Sequence, residues 1–199
     1  MSTTQPWFAL QTKSRSEKKT GYLLKQKGFE CLTPTYRLRR KWSDRVVEID
    51  WPLFPMYVFC HFNASALGKV LSTPGVIKIV GFGGKPAEVA MEEIEALQLL
   101  AQTNCLREPW KYIPHGTRVL IESGPLTGTQ GIICQDDKNR RLVISVTLLQ
   151  RAVAVQLDES TMISVIPDSK GGNKSGLASE IACGLLRPTG AGPKYSQSA

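Results

Sequence analysis

The chain has 199 residues, of which 42% are hydrophobic and 21% are charged, and its formal net charge is +8. This length allows one large domain or two small ones with a buried core, and the excess of cations favours an anionic partner. Five cysteines without a Cys-x-x-Cys pair argue against a disulfide framework and against a zinc site. The sequence shows no signal-peptide pattern and no apolar run of about 20 residues, so we expect a cytoplasmic protein without a membrane span.

The first hundred residues alternate between strand and helix patterns. Residues 7–12 are typical of a strand, and Ser14 or Ser16 can cap a helix that ends at Gly28. Asn63 begins a short helix, and residues 91–102 have the apolar spacing and the early glutamates of a longer one. Further strands are predicted at residues 29–38, 46–49, 53–62 and 76–80. This order predicts an α+β domain over residues 1–107.

Residues 52–59 (Pro-Leu-Phe-Pro-Met-Tyr-Val-Phe) form a strand pattern that is apolar on both faces. Alternation places Met56 and Val58 on one face and Tyr57 and Phe59 on the other. Both faces therefore need an apolar cover. The chain's own helices supply one, and the pattern leaves open whether the second cover is internal or is a partner protein.

Two basic groups precede this strand in the sequence. They comprise Lys13, Arg15 and Lys19 at the start of the first helix, and Arg37, Arg39, Arg40 and Lys41 with the indole of Trp42. Cations at a helix N-terminus oppose the macrodipole, so phosphate contact explains the first group better than stability does. For the second group we favour phosphate contact with stacking on the indole, and a solvated hairpin is the alternative. Residues 1–107 hold 15 Lys and Arg against 9 Asp and Glu, a net charge of +6.

The pattern changes after an aperiodic segment with two prolines, which predicts a linker at residues 108–113. Beyond it, short apolar strands at close spacing indicate a small, bent β-barrel over residues 114–168. A tight loop between two barrel strands requires glycine, and the loop residues are Gly124, Pro125, Gly128 and Gly131. Residues 169–199 are rich in Gly, Ser and Lys and predict a disordered tail.

The sequence carries no recognisable catalytic constellation. Neither His61 nor His115 has a nucleophile or a metal partner nearby in the sequence, and these are the only histidines. The glycine-rich loop lacks the Gly-Lys-Ser/Thr ending and the following helix of a phosphate-binding loop. We therefore expect no enzymatic activity, no cofactor and no metal site.

Four segments resemble the N-terminal (NGN) domain of the NusG family in their order and spacing. They are residues 7–10 (Trp-Phe-Ala-Leu), the strand at 52–59, residues 73–76 (Thr-Pro-Gly-Val) and the loop at 81–86. The resemblance implies an NGN-type α/β sandwich that is joined by a linker to a KOW-type β-barrel.

The second half of the chain adds to this resemblance. Residues 116–119 and the loop at 124–131 are similar to the KOW motif of the family's C-terminal domain. The resemblance covers residues 5–167. Residues 37–45 and 148–155 are most similar to specialised NusG paralogues of the UpxY and RfaH kind.

The resemblance also implies partners and site residues. The family's N-terminal domain binds the clamp helices of RNA polymerase through an aromatic patch, which is carried over here to Trp7, Phe8, Phe54, Tyr57 and Phe59. Lys13, Arg15 and Lys19 match positions that face the upstream non-template DNA. Binding would select the closed, elongating clamp and so disfavour pausing.

KOW domains of the family recruit a small-subunit ribosomal protein or the termination factor Rho. Where general NusG proteins show Phe-Gly-Arg, this chain has Leu149-Gln150-Arg151, which argues against Rho binding. RfaH, which switches its C-terminal domain to a helical hairpin, lacks the full glycine set of the loop. This chain retains that set, so we expect a permanent β-barrel that folds on its own.

The resemblance predicts a monomeric, specialised antitermination factor that binds RNA polymerase and either non-template DNA or nascent RNA. One alternative is a housekeeping NusG that acts in pausing and in coupling to Rho or the ribosome. A second is a ribosome-associated KOW protein that binds RNA. The aromatic strand at residues 52–59 argues against the second alternative, because RNA binding alone does not require it.

Overall fold

The computed structural model describes residues 5–41, 45–103, 105–113, 115–136, 139–158 and 160–167. The first unit, the N-terminal domain, contains β1 (Trp7–Thr12), α1 (Glu17–Gln26), β2 (Glu30–Leu32), β3 (Thr35–Lys41), β4 (Val46–Pro52), β5 (Tyr57–His61), α2 (Leu67–Leu71), β6 (Val76–Ile79), β7 (Gly81–Phe82), β8 (Lys85–Pro86), β9 (Glu88–Val89) and α3 (Met91–Gln102). The second unit, the β domain, contains β10 (Arg107–Trp110), β11 (Arg118–Ile121), β12 (Gln130–Asp136), β13 (Asn139–Val146), β14 (Arg151–Leu157) and β15 (Ile163–Val165). This mixture of helices and strands confirms the predicted α+β class. The predicted tail at residues 169–199 lies outside the described residues.

An antiparallel sheet in the order β2-β5-β1-β6 forms the centre of the N-terminal domain, and β9 also pairs with β1. One face packs on α1 and α2, with Leu24 and Val70 in a buried cluster with Val58. The opposite face packs on α3, where Ile94 and Leu97 are buried. The prediction that the central strand needs two apolar covers is therefore confirmed.

The start of α1 differs from the predicted cap. Ser16 occupies the N-cap position, but its side chain makes no capping hydrogen bond. Glu17 follows it, where a carboxylate is favourable to the helix dipole. Instead of lying in solvent, Glu17 is buried and its Oε1 accepts a hydrogen bond from the backbone N–H of Met56 at 2.7 Å. The helix therefore begins against the turn that precedes β5.

The strand predicted at residues 53–62 is shorter than expected. β4 continues to Pro52, the chain then turns, and β5 begins at Tyr57. Pro55 interrupts the pattern because a proline has no N–H to donate to a sheet. The turn lets β4 pair with β3 as a separate hairpin, with Thr35 opposite Pro52 and Lys41 opposite Val46.

The β domain is an antiparallel sheet in the order β10-β14-β13-β12-β11-β15. The linker prediction for residues 108–113 is wrong for its first three residues, because β10 spans Arg107–Trp110 and pairs with β14. Its strand character was hidden by Pro109 and by a polar composition. Proline is tolerated here because β10 is the edge strand of this sheet.

A single buried apolar cluster extends through both units. It includes Trp7 and Phe59 of the first sheet, Leu97 of α3, and Ile144 and Val153 of the β domain. The two units are thus packed against each other instead of being separated by an extended linker. This packing decides which predicted site residues are accessible.

Candidate functional site

Three of the predicted aromatic residues converge on the face of the first sheet that α3 covers. Trp7 on β1 and Phe59 on β5 point to this face, and Phe54 approaches from the turn before β5. The Phe54 and Phe59 rings meet edge to face, with centroids 5.4 Å apart. Trp7, Phe54 and Phe59 are 4%, 1% and 0% exposed. These three rings, which we call the aromatic face, therefore form part of the core.

Phe8 does not belong to this group. It follows Trp7 on β1, so its side chain projects from the opposite face of the sheet. There it stacks against Phe62 at a centroid distance of 4.6 Å, in the cluster under α1 and α2. The predicted five-residue aromatic patch is therefore not one surface, because alternation along β1 separates its two neighbouring aromatics.

Tyr57 is the half-buried member of the predicted patch, and the β domain covers it. The guanidinium carbon of Arg151 lies 5.2 Å from the centroid of the Tyr57 ring, a cation–π distance. Nearby, the backbone N–H of Thr147 donates to Oε1 of Glu93 on α3 at 3.0 Å. Both contacts join the two units. In this arrangement the aromatic face is closed to a partner protein.

Arg107 joins the two units at the other end of the interface. It lies on β10 of the β domain, yet its guanidinium donates to three carbonyl oxygens of the N-terminal domain: that of Thr35 at 2.9 Å, that of Thr103 at 3.0 Å, and that of Leu100. The last two carbonyls lie at the C-terminal end of α3, where helix carbonyls lack the regular i+4 partner. Burial lowers the pKa of the Arg107 guanidinium. The sequence does not indicate this role, because Arg107 lies beside the predicted linker.

A groove of about 940 Å³ remains between α3 and the β domain. Its α3 wall carries Glu92, Glu93 and Glu95, and its opposite wall includes Ile132 and Val143. The interface is therefore incompletely packed along this side.

The basic hairpin β3–β4 extends from the N-terminal domain with its cations on one face. Arg37, Arg39 and Lys41 are exposed at alternate positions of β3. Opposite them on β4 lie Asp50 and Glu48, and Arg39 Nε is 2.8 Å from Glu48 Oε1. Acidic residues therefore lie opposite Arg37 and Arg39, whereas Lys41 near the tip lies opposite Val46. Trp42 lies outside the described residues, and Arg40 pairs with Val47 between β3 and β4.

The second basic group lies beside this hairpin. Lys13, Arg15 and Lys19 are exposed at the start of α1. Lys18 of the same helix pairs with Asp50 of β4, with Nζ 3.6 Å from the carboxylate oxygen. This contact joins α1 to the hairpin. The two basic groups, far apart in the sequence, thus border one side of the N-terminal domain.

The base of the hairpin also faces the β domain. Tyr36 on β3 packs against the shared apolar cluster. Burial, and then the charge of Glu108 on β10, raise the pKa of the Tyr36 phenol. The hairpin, α3 and β10 therefore meet at one junction.

The glycine-rich loop 124–131 is a tight connection between β11 and β12. Gly128 has φ +86°, and its N–H donates to the carbonyl of Ile121 at 2.9 Å. A Cβ on Gly131 would lie 2.7 Å from the carbonyl oxygen of Val143. These two glycines meet backbone requirements of the β domain. Gly124 and Pro125 belong to the same turn, and Gly124 has φ +92°.

Within the described ranges, no group of three or more His, Cys, Asp or Glu side chains could hold a metal ion. A search of the same residues found no helix with the length and apolarity that crossing a membrane requires. The candidate binding features of the described residues are the aromatic face and the two basic groups.

Comparison with known proteins matches residues 5–98 to the family described as NusG, transcription termination factor. The transcription termination/antitermination protein NusG of Lactococcus lactis is 28% identical over 172 residues, which cover 79% of this chain and 92% of that protein. The protein of the same name from Escherichia coli K12 is 28% identical over 131 residues, covering 59% and 72%. A solved structure titled "Domain interaction in Thermotoga maritima NusG" has 25% identity and a TM-score of 0.47, covering 82% of this chain and 98% of that one.

Proposed function

The chain belongs to the NusG family through its first domain, and we propose from this premise that it is a transcription elongation and antitermination factor. The family consists of transcription termination and antitermination factors, not of enzymes, so the expectation of a non-enzyme is confirmed. Its members bind RNA polymerase and nucleic acid. The activity proposed here is suppression of pausing or termination by a bound protein, without chemistry.

The observation that supports docking is the aromatic face with Tyr57 at its margin. Tyr57 is half buried and touches the β domain through its cation–π contact with Arg151, whereas Phe59 and Phe54 are wholly internal. We propose that the β domain moves away and that Tyr57 then becomes the aromatic anchor for the polymerase. Aromatic side chains are common energetic centres of protein interfaces.

The basic side of the N-terminal domain is proposed to contact nucleic acid. Lys13, Arg15 and Lys19 border the hairpin that carries Arg37, Arg39 and Lys41. Clustered cations on one side of a domain attract a phosphate backbone without reading its sequence. A polymerase anchor and a basic side on one domain suit a protein that holds polymerase and non-template DNA or nascent RNA together.

A role at specific operons is proposed over a housekeeping role. The support is the Leu149-Gln150-Arg151 segment, in which Arg151 is engaged by Tyr57. A half-buried residue that packs against the chain's own first domain is not free to recruit a ribosomal protein or Rho. The β domain would therefore recruit such a partner only after the protein has bound polymerase.

The docking proposal is tested by substituting Tyr57 alone, because truncating the fully buried Phe59 would disrupt the core. Tyr57→Ala should lose capture by RNA polymerase and lose pause suppression in a purified transcription assay. Tyr57→Phe keeps the ring and should retain both. Tyr22→Ala, at an exposed tyrosine on α1, is the surface control. Full activity of a folded Tyr57→Ala protein would refute the proposed anchor.

A further inference from the structure

Two cysteines face each other across neighbouring strands of the N-terminal domain. Cys31 of β2 and Cys60 of β5 are direct partners in antiparallel register, and their Sγ atoms lie 3.3 Å apart. Such partners have Cα atoms about 4.5–5.5 Å apart, a separation that a disulfide can span. We propose that Cys31 and Cys60 form a reversible disulfide when the protein meets a hydroperoxide.

The two thiols differ in access, which sets the order of events. β2 is a three-residue strand at the edge of the sheet, and Cys31 on it is 7% exposed, whereas Cys60 is 0% exposed. Short edge strands open locally at a lower cost than the interior of a sheet. A small oxidant therefore reaches Cys31 first. The hydrogen bond with Cys31 and burial raise the pKa of the Cys60 thiol, so Cys60 stays protonated and reacts second.

The first step oxidises Cys31. Its thiolate attacks one oxygen of the hydroperoxide, the O–O bond breaks, and a sulfenic acid forms. The departing hydroxide or alkoxide takes up the proton that Cys31 released. Cys60 then loses its proton as its sulfur attacks the Cys31 sulfur, and the S–O bond breaks. With hydrogen peroxide, the balance is two thiols and one peroxide to one disulfide and two waters.

The bond would close a loop from residue 31 to residue 60. This loop contains the hairpin β3–β4 and Tyr57, and the bond would fix the edge strand β2 to β5. A cross-link stabilises a protein by restricting its unfolded chain. The oxidised protein should therefore unfold at a higher temperature, with slower amide exchange at residues 30–32. This inference stands independently of the proposed function.

Peptide mapping of the full-length chain tests the pairing directly. The reduced protein is treated with hydrogen peroxide, its remaining thiols are alkylated, and it is digested with trypsin without reduction. Trypsin separates the two cysteines into residues 28–37 and residues 46–69. The expected product joins these two peptides and is lost on adding dithiothreitol. In Cys60→Ala, Cys31 should instead be trapped by dimedone as the sulfenic acid.

Other products would overturn the inference. One is alkylation of both Cys31 and Cys60 at a peroxide dose that already oxidises the half-exposed Cys105. Another is a dominant link between Cys31 and a cysteine other than Cys60, or a link between two chains. Cys105→Ala is the matched control, and it should leave the yield of the joined peptides unchanged.

Discussion

The guanidinium of Arg151 lies over the ring of Tyr57, with the guanidinium carbon 5.2 Å from the ring centroid. One residue is on β14 of the β domain and the other begins β5 of the N-terminal domain. The pair therefore links the proposed polymerase anchor to the closed arrangement of the two units. Any partner that needs the face of Tyr57 competes with Arg151 for it.

Weakening this contact should favour polymerase binding. A cation–π contact at a partly exposed site contributes about 0.5–1 kcal/mol, so Arg151→Ala should raise the affinity for polymerase by about twofold to fivefold. Titration of labelled protein with polymerase measures this. Arg141→Ala is the control, because Arg141 makes its cation–π contact with Trp110 inside the β domain. Equal affinities for Arg151→Ala and Arg141→Ala would show that Arg151 does not limit docking.

Arg107 should contribute to both stability and closure. In Arg107→Met the carbonyls of Thr35, Leu100 and Thr103 lose a charged donor, and we expect a loss of about 2 kcal/mol in the free energy of unfolding. Urea unfolding measures the free energy of unfolding of each variant. Lys111→Met, at an exposed cation nearby, should change it little. A loss no larger than in this control would mean that water replaces the three hydrogen bonds.

The basic hairpin should determine the salt dependence of nucleic-acid binding. In Arg37→Gln with Lys41→Gln, two candidate phosphate contacts are removed, and the slope of log K against log salt should fall by about 1.4–1.8. Binding of single- and double-stranded DNA at several salt concentrations measures the slope. Lys25→Gln lies near the end of α1 and serves as the control cation. An unchanged slope would leave the hairpin as a solvated surface.

Tyr36 should make stability depend on alkaline pH. Its folded-state pKa is raised by burial and by Glu108, so its neutral form is favoured in the folded protein. This contribution is complete below the unfolded pKa of about 10 and is lost as pH rises through the folded pKa. The free energy of unfolding should therefore fall above about pH 10 more steeply in the native protein than in Tyr36→Phe. Tyr22→Phe, at an exposed site, should keep the steep fall.

The close approach at Gly131 should make it intolerant of a side chain. The Cβ of Gly131→Ala would meet the Val143 carbonyl at 2.7 Å and Leu142 at 2.8 Å, and we expect a loss of about 1–3 kcal/mol. Gly68→Ala on α2 meets nothing within 4 Å and should stabilise the protein by up to about 1 kcal/mol. Thermal unfolding compares the two. Equal effects in the two variants would contradict the packing of β12 on β13.

Much of the N-terminal domain could be predicted because its signals are local. Helix α3 was expected at residues 91–102 and is observed as Met91–Gln102. The apolar spacing and the early glutamates that predict this helix are signals between residues a few positions apart in the sequence. The alternation of Tyr57 and Phe59 against Val58 was likewise predicted, because neighbouring side chains of a strand alternate between its faces. The ends of two strands differ from the prediction, because the proline-containing turn before β5 shortens β5 and lengthens β4.

The amino-acid sequence by itself determined the fold class, the resemblance to the NusG family and the position of the two basic groups along the chain. Only the tertiary structure decided what these residues face. It placed Phe8 under α1, paired Lys18 with Asp50, and set Arg107 and Arg151 against the N-terminal domain. The physical reason is that a strand's periodicity states which side chains share a face, but not what covers that face. The cover comes from residues distant in the sequence, whose approach depends on the packing of the whole chain.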